Sequence, residues 1–183
     1  MRQKDAYTKK AKAKGLRARS AYKLKQIQKS FNIIKEKDKV LDLGCWPGGW
    51  SIVAKNLGAE VIGIDLDLPK KVDGVTFIQE DVFSDTVLTL GKFNVILSDL
   101  SPKKSGVKSI DQELSIELVK RVLFISQKLL KNKGIMLCKY FQGKDIDKFI
   151  KEVRKHFKMV KTIKPKASKK ESREMYLLAK DFL

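Results

Sequence analysis

Residues 40–51, VLDLGCWPGGWS, decide the fold class of this chain of 183 residues. The apolar run at 40–43 predicts a short buried strand, and the glycine and proline cluster behind it predicts a tight turn. Residues 49–57 predict a helix that begins directly after the turn. A strand, a glycine-rich turn and a helix in succession are typical of a βαβ unit, in which the free N–H groups of the helix can bind a ligand.

The alternation of strand and helix continues towards the carboxyl terminus. Further apolar runs predict strands at 60–64, 75–78, 93–97, 134–140, 158–163 and 175–179. Helical spacing of apolar residues predicts helices at 110–131 and 145–157. Since no helix separates the last two strands, they allow an antiparallel hairpin at the sheet edge. We therefore predict an α/β fold with a doubly wound, mostly parallel sheet of seven strands.

On the amino-terminal side, residues 8–30 predict helical structure that Gly15 interrupts. Ser20 is expected to cap the helix formed by residues 21–30. No internal repeat and no linker rich in Pro, Gly or Ser divides the chain, so we expect a single domain over residues 1–183. It comprises a basic N-terminal helical segment, residues 1–38, and a core, residues 39–183.

Positive charge is concentrated at the two ends of the chain. With 40 Lys and Arg against 21 Asp and Glu, the formal net charge is +19. Residues 1–38 carry 13 basic and 3 acidic side chains and residues 139–180 carry 14 and 5, whereas residues 39–138 carry 13 and 12. Two basic ends around a neutral centre favour a polyanion-binding surface over an ordinary solvated one, if the ends meet in space. Aromatic and arginine side chains within the ends favour nucleic acid over a membrane surface, for which no basic helix has the broad apolar face.

The chain carries no recognisable signal for export or membrane insertion. Its first residues lack an apolar h-region, and no run approaches the ~18–20 apolar residues of a membrane span. Two cysteines, Cys45 and Cys138, are too few for a disulfide scaffold, and a single histidine, His156, excludes most histidine-based sites. Nothing pairs with Cys45 as a base, so it is not expected to be a nucleophile. We expect a cytoplasmic, monomeric protein without a metal centre.

The turn after the first strand is a candidate cofactor site. Asp65 lies 21 residues beyond Gly44, at the end of the second predicted strand, where a carboxylate can accept hydrogen bonds from both hydroxyls of a ribose. The glycine spacing is not G-x-G-x-x-G, and Pro47 fits poorly with a turn that wraps a pyrophosphate. We therefore expect a nucleoside cofactor without phosphates, which disfavours a Rossmann dehydrogenase. A plain tight turn is the alternative.

Several sequence blocks resemble those of FtsJ-like (RrmJ-type) RNA ribose 2′-O-methyltransferases. They are DLG at 42–44, PGGWS at 47–51, KGLRARSAYKL at 14–24, SDLSP at 98–102, KYFQG at 139–143 and SREMY at 172–176. The resemblance implies a class I methyltransferase (Rossmann-like) fold with S-adenosylmethionine as the methyl donor. Two departures stand out: Cys45-Trp46 replaces two small residues, so the bulky Trp46 must face solvent or stack, and Lys103 replaces an asparagine.

The resemblance also implies a catalytic tetrad of Lys23, Asp99, Lys139 and Glu174. Methylation of a ribose needs a base for the 2′-hydroxyl, and Lys139, at the end of a buried strand, is the candidate. Asp99 would orient Lys139 and the methyl donor, while Lys23 and Glu174 would fix the target ribose. Each residue alone suggests an ordinary surface ion pair, but the ordered set of matched motifs indicates one site.

The cofactor contacts implied by the resemblance are drawn from several strand ends. They are Gly44, Gly48, Trp50, Asp65, Asp81 and Asp99, with Asp65 at the ribose and Asp81 near the adenine amino group. Without the resemblance, Asp81 is equally a candidate N-cap for a helix over residues 82–90.

The predicted RNA contacts come from both basic ends and from the loop after residue 102. They are Lys9, Lys10, Lys12, Arg17, Arg19, Lys103, Lys104, Lys166, Lys169 and Arg173. Because Lys23 and Glu174 belong to one site, the two ends should converge around it. By resemblance, the expected substrate is a uridine of large-subunit 23S rRNA in assembled particles. The alternatives are a tRNA anticodon-loop enzyme of the same family and a catalytically silent RNA chaperone, which the intact tetrad disfavours.

Overall fold

The computed structural model describes residues 19–102, 106, 108–143, 145–168 and 172–183. The helical structure predicted for residues 8–18 lies outside these ranges. The strands are β1 Lys39–Leu43, β2 Glu60–Asp65, β3 Val75–Gln79, β4 Phe93–Ser98, β5 Leu130–Phe141, β6 Phe157–Ile163 and β7 Glu174–Phe182. The helices are α1 Ser20–Phe31, α2 Gly49–Asn56, α3 Lys108–Leu129 and α4 Ile146–Val153, and a 3₁₀ helix spans Asp85–Thr89.

The seven strands form one sheet in the order β3-β2-β1-β4-β5-β7-β6. The first five are parallel neighbours, and β7 runs antiparallel to both β5 and β6. The predicted seven-stranded, mostly parallel sheet with an antiparallel edge pair is confirmed. Because β7 runs backwards, its first residue, Glu174, pairs with Phe141 at the end of β5. The start of β7 therefore reaches the carboxyl edge of the parallel strands, where ligands bind in such sheets.

An apolar core covers each face of the sheet. On one face, α1 and α2 bury Leu24, Ile27 and Val53. On the other, α3 and α4 bury residues that include Ile125 and Phe149. Each such side chain stabilises the fold by roughly 1.5–3 kcal/mol through its removal from water. Within the described ranges, no helix combines the length and the apolar character needed to cross a membrane.

Three predicted details are wrong at element ends. Ser20 is the first residue of α1 instead of its cap, and the cap position, Arg19, makes no side-chain capping bond. Asp81 does not cap a helix, because the 3₁₀ helix is capped by Ser84, whose Oγ accepts a hydrogen bond from Thr86 N at 3.3 Å. Strand β5 begins at Leu130, before the predicted 134, and its register against β4 shifts before regular pairing resumes.

Candidate active site

The glycine turn after β1 is held rigidly against the end of β2. Gly44 N and Cys45 N donate to the carbonyl of Ile64 at 2.9 and 3.1 Å. Gly44 has φ +77°, and a Cβ there would lie 2.7 Å from Leu100 Cδ2, so a side chain would be both strained and crowded. Gly48, with φ +99°, closes the turn as the N-cap of α2. Glycine at both positions lets the turn take this shape.

A cavity of about 610 Å³ opens beside this turn, at the carboxyl ends of β1, β2 and β4. Its acidic lining residues are Asp65, Asp67, Glu80, Asp81, Asp99 and Glu117, and no described lining residue is Lys or Arg. Trp46, Leu66 and Phe83 supply an apolar wall and are each at least half exposed. In a chain of net charge +19, an acid-lined cavity is suited to a cationic ligand without phosphates.

Four predicted cofactor residues, Gly44, Asp65, Asp81 and Asp99, line this cavity. The Asp65 carboxylate is also a brace for the turn, since its Oδ2 accepts from Trp46 N at 2.9 Å. Asp81 Oδ1 accepts from Phe83 N at 2.9 Å. Trp46, whose bulk departs from the family pattern, is 60% exposed at the cavity mouth, as the sequence predicted for a side chain with no room inside the turn.

The other two predicted cofactor residues, Gly48 and Trp50, are not among the described lining residues. The cofactor contact predicted for Trp50 stays a prediction, and its side chain is only 2% exposed. Its indole Nε1 donates to the carbonyl of Ser20 at 2.9 Å, and its ring packs on Tyr176 with centroids 5.6 Å apart. Trp50 therefore fixes α1 and β7 to α2 and so supports the predicted catalytic residues from behind.

The four predicted catalytic residues meet as two ion pairs. Lys139 Nζ donates to the backbone carbonyl of Asp99 at 2.6 Å and lies 3.4 Å from Asp99 Oδ1. Lys23 Nζ donates to Glu174 Oε1 across 151 positions of sequence. Both lysine side chains are nearly buried, as predicted for Lys139 from the apolar strand before it.

Tyr176 joins the two pairs, and sequence reasoning missed this role. Its hydroxyl donates to Asp99 Oδ1 at 2.8 Å and lies 3.4 Å from Glu174 Oε1, while its ring packs under Lys23 Nζ, 5.6 Å from the centroid. Burial, followed by the charges of Asp99 and Glu174, raises the pKa of the phenol well above its usual value, so it stays a donor. The available signal was strand alternation, which puts Tyr176 on the same face of β7 as Glu174.

Burial and nearby charges shift the pKa values of two further groups, Glu174 and Cys45. Burial opposes the charge of Glu174, but the hydrogen bond and charge of Lys23, together with the charge of Lys139, lower the pKa of this carboxyl below its usual value. The Cys45 thiol behaves as predicted for an unreactive group, because burial and the nearby carboxylates Asp42 and Asp65 raise its pKa.

Asp42, under the glycine turn, is a buried carboxyl with an incomplete set of partners. Its Oδ2 accepts from Ser51 Oγ at 2.6 Å, while Oδ1 is fully buried and has no hydrogen-bond partner in the described part of the chain. Burial raises the pKa of Asp42 to about 7, the Ser51 bond opposes this rise, and the charges of Asp99 and Asp65 add to it.

We expect Asp42→Asn to stabilise the protein at pH 8 by up to roughly 4 kcal/mol. The unfolded Asp42 ionises near pH 4 but the folded one only near 7. The free energy of unfolding of the wild type therefore falls as the pH rises between these values. The uncharged amide of the variant does not ionise, so this decrease does not occur in it. Urea unfolding at pH 4.5 and pH 8 measures it, with surface Asp73→Asn as the matched control. A stability gain of the same size at both pH values would show that ionisation of the buried carboxyl is not the cause.

The two basic ends converge beside the ion pairs. Arg19 donates to the carbonyl of Ala167 at 2.6 Å, and Ala167 N donates to Gln26 Oε1 at 3.1 Å, so the start of α1 lies against the β6–β7 connection. Lys166 and Arg173, two of the predicted RNA contacts, are exposed there. The others, apart from Arg19, lie outside the described residues; they are Lys9, Lys10, Lys12, Arg17, Lys103, Lys104 and Lys169.

Comparison with known proteins agrees with this geometry. A family model described as FtsJ-like methyltransferase matches residues 16–182. Ribosomal RNA large subunit methyltransferase E of Archaeoglobus fulgidus is 43% identical over 97% of this chain and 96% of its own length. The protein of the same name from Wolbachia pipientis is 39% identical over 98% of this chain and 96% of its own length.

A crystal structure from Plasmodium falciparum, described as that of a ribosomal RNA methyltransferase, superposes with a TM-score of 0.79 at 30% identity. The superposition covers 91% of this chain and 98% of the other. The family match spans nearly the whole chain, the ion pairs fall within it, and full-length relatives share about two residues in five. This chain belongs to the FtsJ-like methyltransferase family.

Proposed function

We propose that the protein is an S-adenosylmethionine-dependent methyltransferase that modifies the ribose 2′-hydroxyl of a uridine in large-subunit 23S rRNA. The observation that carries the proposal is the joined pair of ion pairs, Lys139–Asp99 and Lys23–Glu174, beside an acid-lined cavity. The printed names of the relatives from Archaeoglobus and Wolbachia support the same rRNA substrate class.

The residues present fit S-adenosylmethionine. This donor is a nucleoside with no phosphate and a net positive charge, since its sulfonium and ammonium outweigh its one carboxylate. It supplies an electrophilic methyl group on the sulfonium. The cavity is lined by acidic side chains, with no Lys or Arg among its described residues, and therefore suits a ligand of net positive charge. Asp65 is placed to accept from ribose hydroxyls, and Trp46 and Phe83 offer rings to a purine.

In this proposal the protein contributes positioning and proton transfer. Lys139 is the base that accepts the proton of the 2′-hydroxyl as the oxygen becomes a nucleophile. The Asp99 carbonyl and carboxylate aim Lys139 Nζ, and the Tyr176 hydroxyl holds Asp99 in turn. Lys23 and Glu174 bind the target ribose and limit its freedom before attack.

The test is methylation of purified RNA. The protein is incubated with the methyl donor and, in parallel, with large-subunit rRNA, whole large subunits, small-subunit rRNA and tRNA, and nuclease digests are analysed by mass spectrometry. A 2′-O-methyluridine that forms in large-subunit RNA supports the proposal. Methylation of tRNA alone would instead favour the anticodon-loop alternative, and no methylation of any RNA would leave the RNA chaperone.

We expect Asp65→Ala to weaken S-adenosylmethionine binding by roughly a hundred-fold, since two hydrogen bonds to a charged acceptor are lost. Isothermal titration calorimetry measures the change. Asp67→Ala, in the same cavity, is the matched control for total charge, and a loss of less than about five-fold is expected on the scale of a single exposed charge. Equal losses in both variants would show that overall charge, and no ribose contact, governs binding.

The convergent basic ends give a prediction for RNA affinity. Changing Lys9, Lys10, Lys166 and Lys169 together to Glu should weaken RNA binding by a factor of about 10³ at low salt and flatten its salt dependence, because phosphate contacts are lost. A matched quadruple change to Glu at exposed residues of the opposite edge, Lys35, Lys92, Lys151 and Lys158, should change it little. Filter binding across a salt series tests this; cofactor affinity should stay constant, and a parallel loss of it would contradict the assignment.

Two further proposals concern the protein in the cell. A monomer is expected, since both substrates meet at residues of one chain, and sedimentation analysis of the purified protein would reveal a dimer instead. A cytoplasmic location follows from an rRNA substrate, and fractionation of cells would show it.

A further inference from the structure

We propose that a second cavity, next to the ion pairs, binds the heterocyclic base of the target nucleotide after that base has left its stack. This inference rests on the proposed function. The cavity measures about 280 Å³ and lies between the end of β4, the first turns of α3, the end of β5 and the start of β7. It is separate from the acid-lined cavity beside the glycine turn.

The position of this second cavity is that of an acceptor site. It shares Ser101 and Pro102 with the acid-lined cavity, so the two meet just beyond Asp99. Its other walls include Gln142, three residues after Lys139, and Arg173, directly before Glu174. An enzyme that joins two substrates needs adjoining cavities, and these two adjoin at Ser101 and Pro102, two and three residues after Asp99.

The chemistry of the walls suits a base. Phe141 is a half-buried ring on which a base can stack, and Pro102 adds apolar surface. The exposed Gln142 side chain offers a donor and an acceptor, which matches the alternating edge of uracil. The backbone ties these walls together, because Gln142 N donates to the carbonyl of Arg173 at 3.1 Å.

Gln112 of α3 adds a second amide, and the backbone is shaped around it. A Cβ at position 143 would lie 1.8 Å from Gln112 Nε2, so only glycine allows the amide to rest where it does. The block KYFQG at residues 139–143 thus supplies four parts of the site. They are the candidate proton acceptor Lys139, the ring of Phe141, the amide of Gln142, and Gly143, which leaves space for the Gln112 amide.

The charge of the walls favours a base over a phosphate. Arg173 and Asp111 are the charged residues among the described walls, so the cavity is neutral as a whole. The negative charge of Asp111 would repel a phosphate, whereas a neutral base would meet no such repulsion. In this arrangement the basic ends of the chain bind the phosphates of the RNA backbone, and the cavity selects the nucleotide.

The test compares variants on large-subunit rRNA transcripts that differ only at the target nucleotide, each of the four bases in turn. Gln142→Ala should lower kcat/KM for the preferred transcript by roughly ten- to hundred-fold and reduce the preference between bases. Phe141→Ala should lower kcat/KM for all four by a similar factor, and Phe141→Tyr, which keeps a stacking ring, should restore it. Arg154→Ala, an exposed arginine on the opposite edge, is the control for a general charge effect.

Gly143→Ala gives a second, independent route, since it should displace the Gln112 amide and reduce base preference without a change at the cavity mouth. S-adenosylmethionine affinity, measured by calorimetry, should be unchanged in every variant. If both Gln142→Ala and Gly143→Ala keep the base preference of the wild type, the inference is overturned. The proposed function is still upheld in that case, provided that the wild type methylates the RNA. If the wild type methylates neither the transcripts nor large subunits assembled from them, both fall.

Discussion

Lys139→Ala is expected to reduce methyl transfer by a factor of about 10³ or more, as the loss of a positioned base commonly does. Lys139 Nζ is held by two oxygens of Asp99, a residue that lines the acid-lined cavity. Single-turnover methylation of the RNA substrate measures the effect. Calorimetry should show S-adenosylmethionine affinity within about three-fold of wild type, because Lys139 is not among the described residues that line its cavity.

Lys139→Arg separates a base from a fixed charge. Arginine keeps a positive charge near Asp99 but does not lose its proton at accessible pH, so it cannot serve as a base. We expect this variant to be as inactive as Lys139→Ala. Retention of more than about a tenth of wild-type activity by the arginine variant would remove Lys139 from proton transfer and leave it an electrostatic role.

Substitutions of the pair Lys23–Glu174 should give the second large effect. They should also separate the contribution of the pair to stability from its contribution to activity. Both side chains are nearly buried, so Lys23→Met leaves a buried carboxylate without its cation and should destabilise the fold by roughly 3–5 kcal/mol. The double variant Lys23→Met/Glu174→Leu buries no unpaired charge and should recover most of that loss. We expect methyl transfer to fall by at least about a hundred-fold in both variants.

Chemical unfolding and kcat/KM, measured on the same preparations, test this separation. Lys39→Met, which removes one partner of the exposed pair with Glu60, is the matched control and should change neither quantity beyond the ~0–1 kcal/mol of a surface pair. A double variant that is as active as wild type would show that Lys23 and Glu174 only hold the fold.

The fold was predictable because most of its strands are buried parallel ones. Strands buried on both faces read as short apolar runs, and the runs of β1, β2 and β4 end close to residues that line the acid-lined cavity, such as Asp65 and Asp99. The convergence of Lys23 and Glu174, 151 positions apart, came instead from matched sequence blocks, since local patterns carry no such long-range information.

The errors have physical causes that lie in tertiary contacts. The role of Tyr176 depends on the β5–β7 register, which sets it opposite Lys139 and which no local pattern fixes. The packing of Trp50 on Tyr176 was also out of reach, because a matched family position does not say whether the side chain faces the ligand or the core. The acidic character of the first cavity was also missed, because its carboxylates come from separate loops that only the folded sheet brings together.

Each of the two ion pairs joins a residue of the N-terminal half of the chain to a residue of the C-terminal half, which has a consequence for dividing the chain into two fragments. A cut between residues 102 and 108 leaves Lys23 and Asp99 on one fragment and Lys139 and Glu174 on the other, so each fragment keeps one cation and one anion yet neither native pair. Neither fragment should act alone. Restored methylation on mixing would then report reassembly of the two halves, which makes the chain a natural candidate for a split-enzyme sensor.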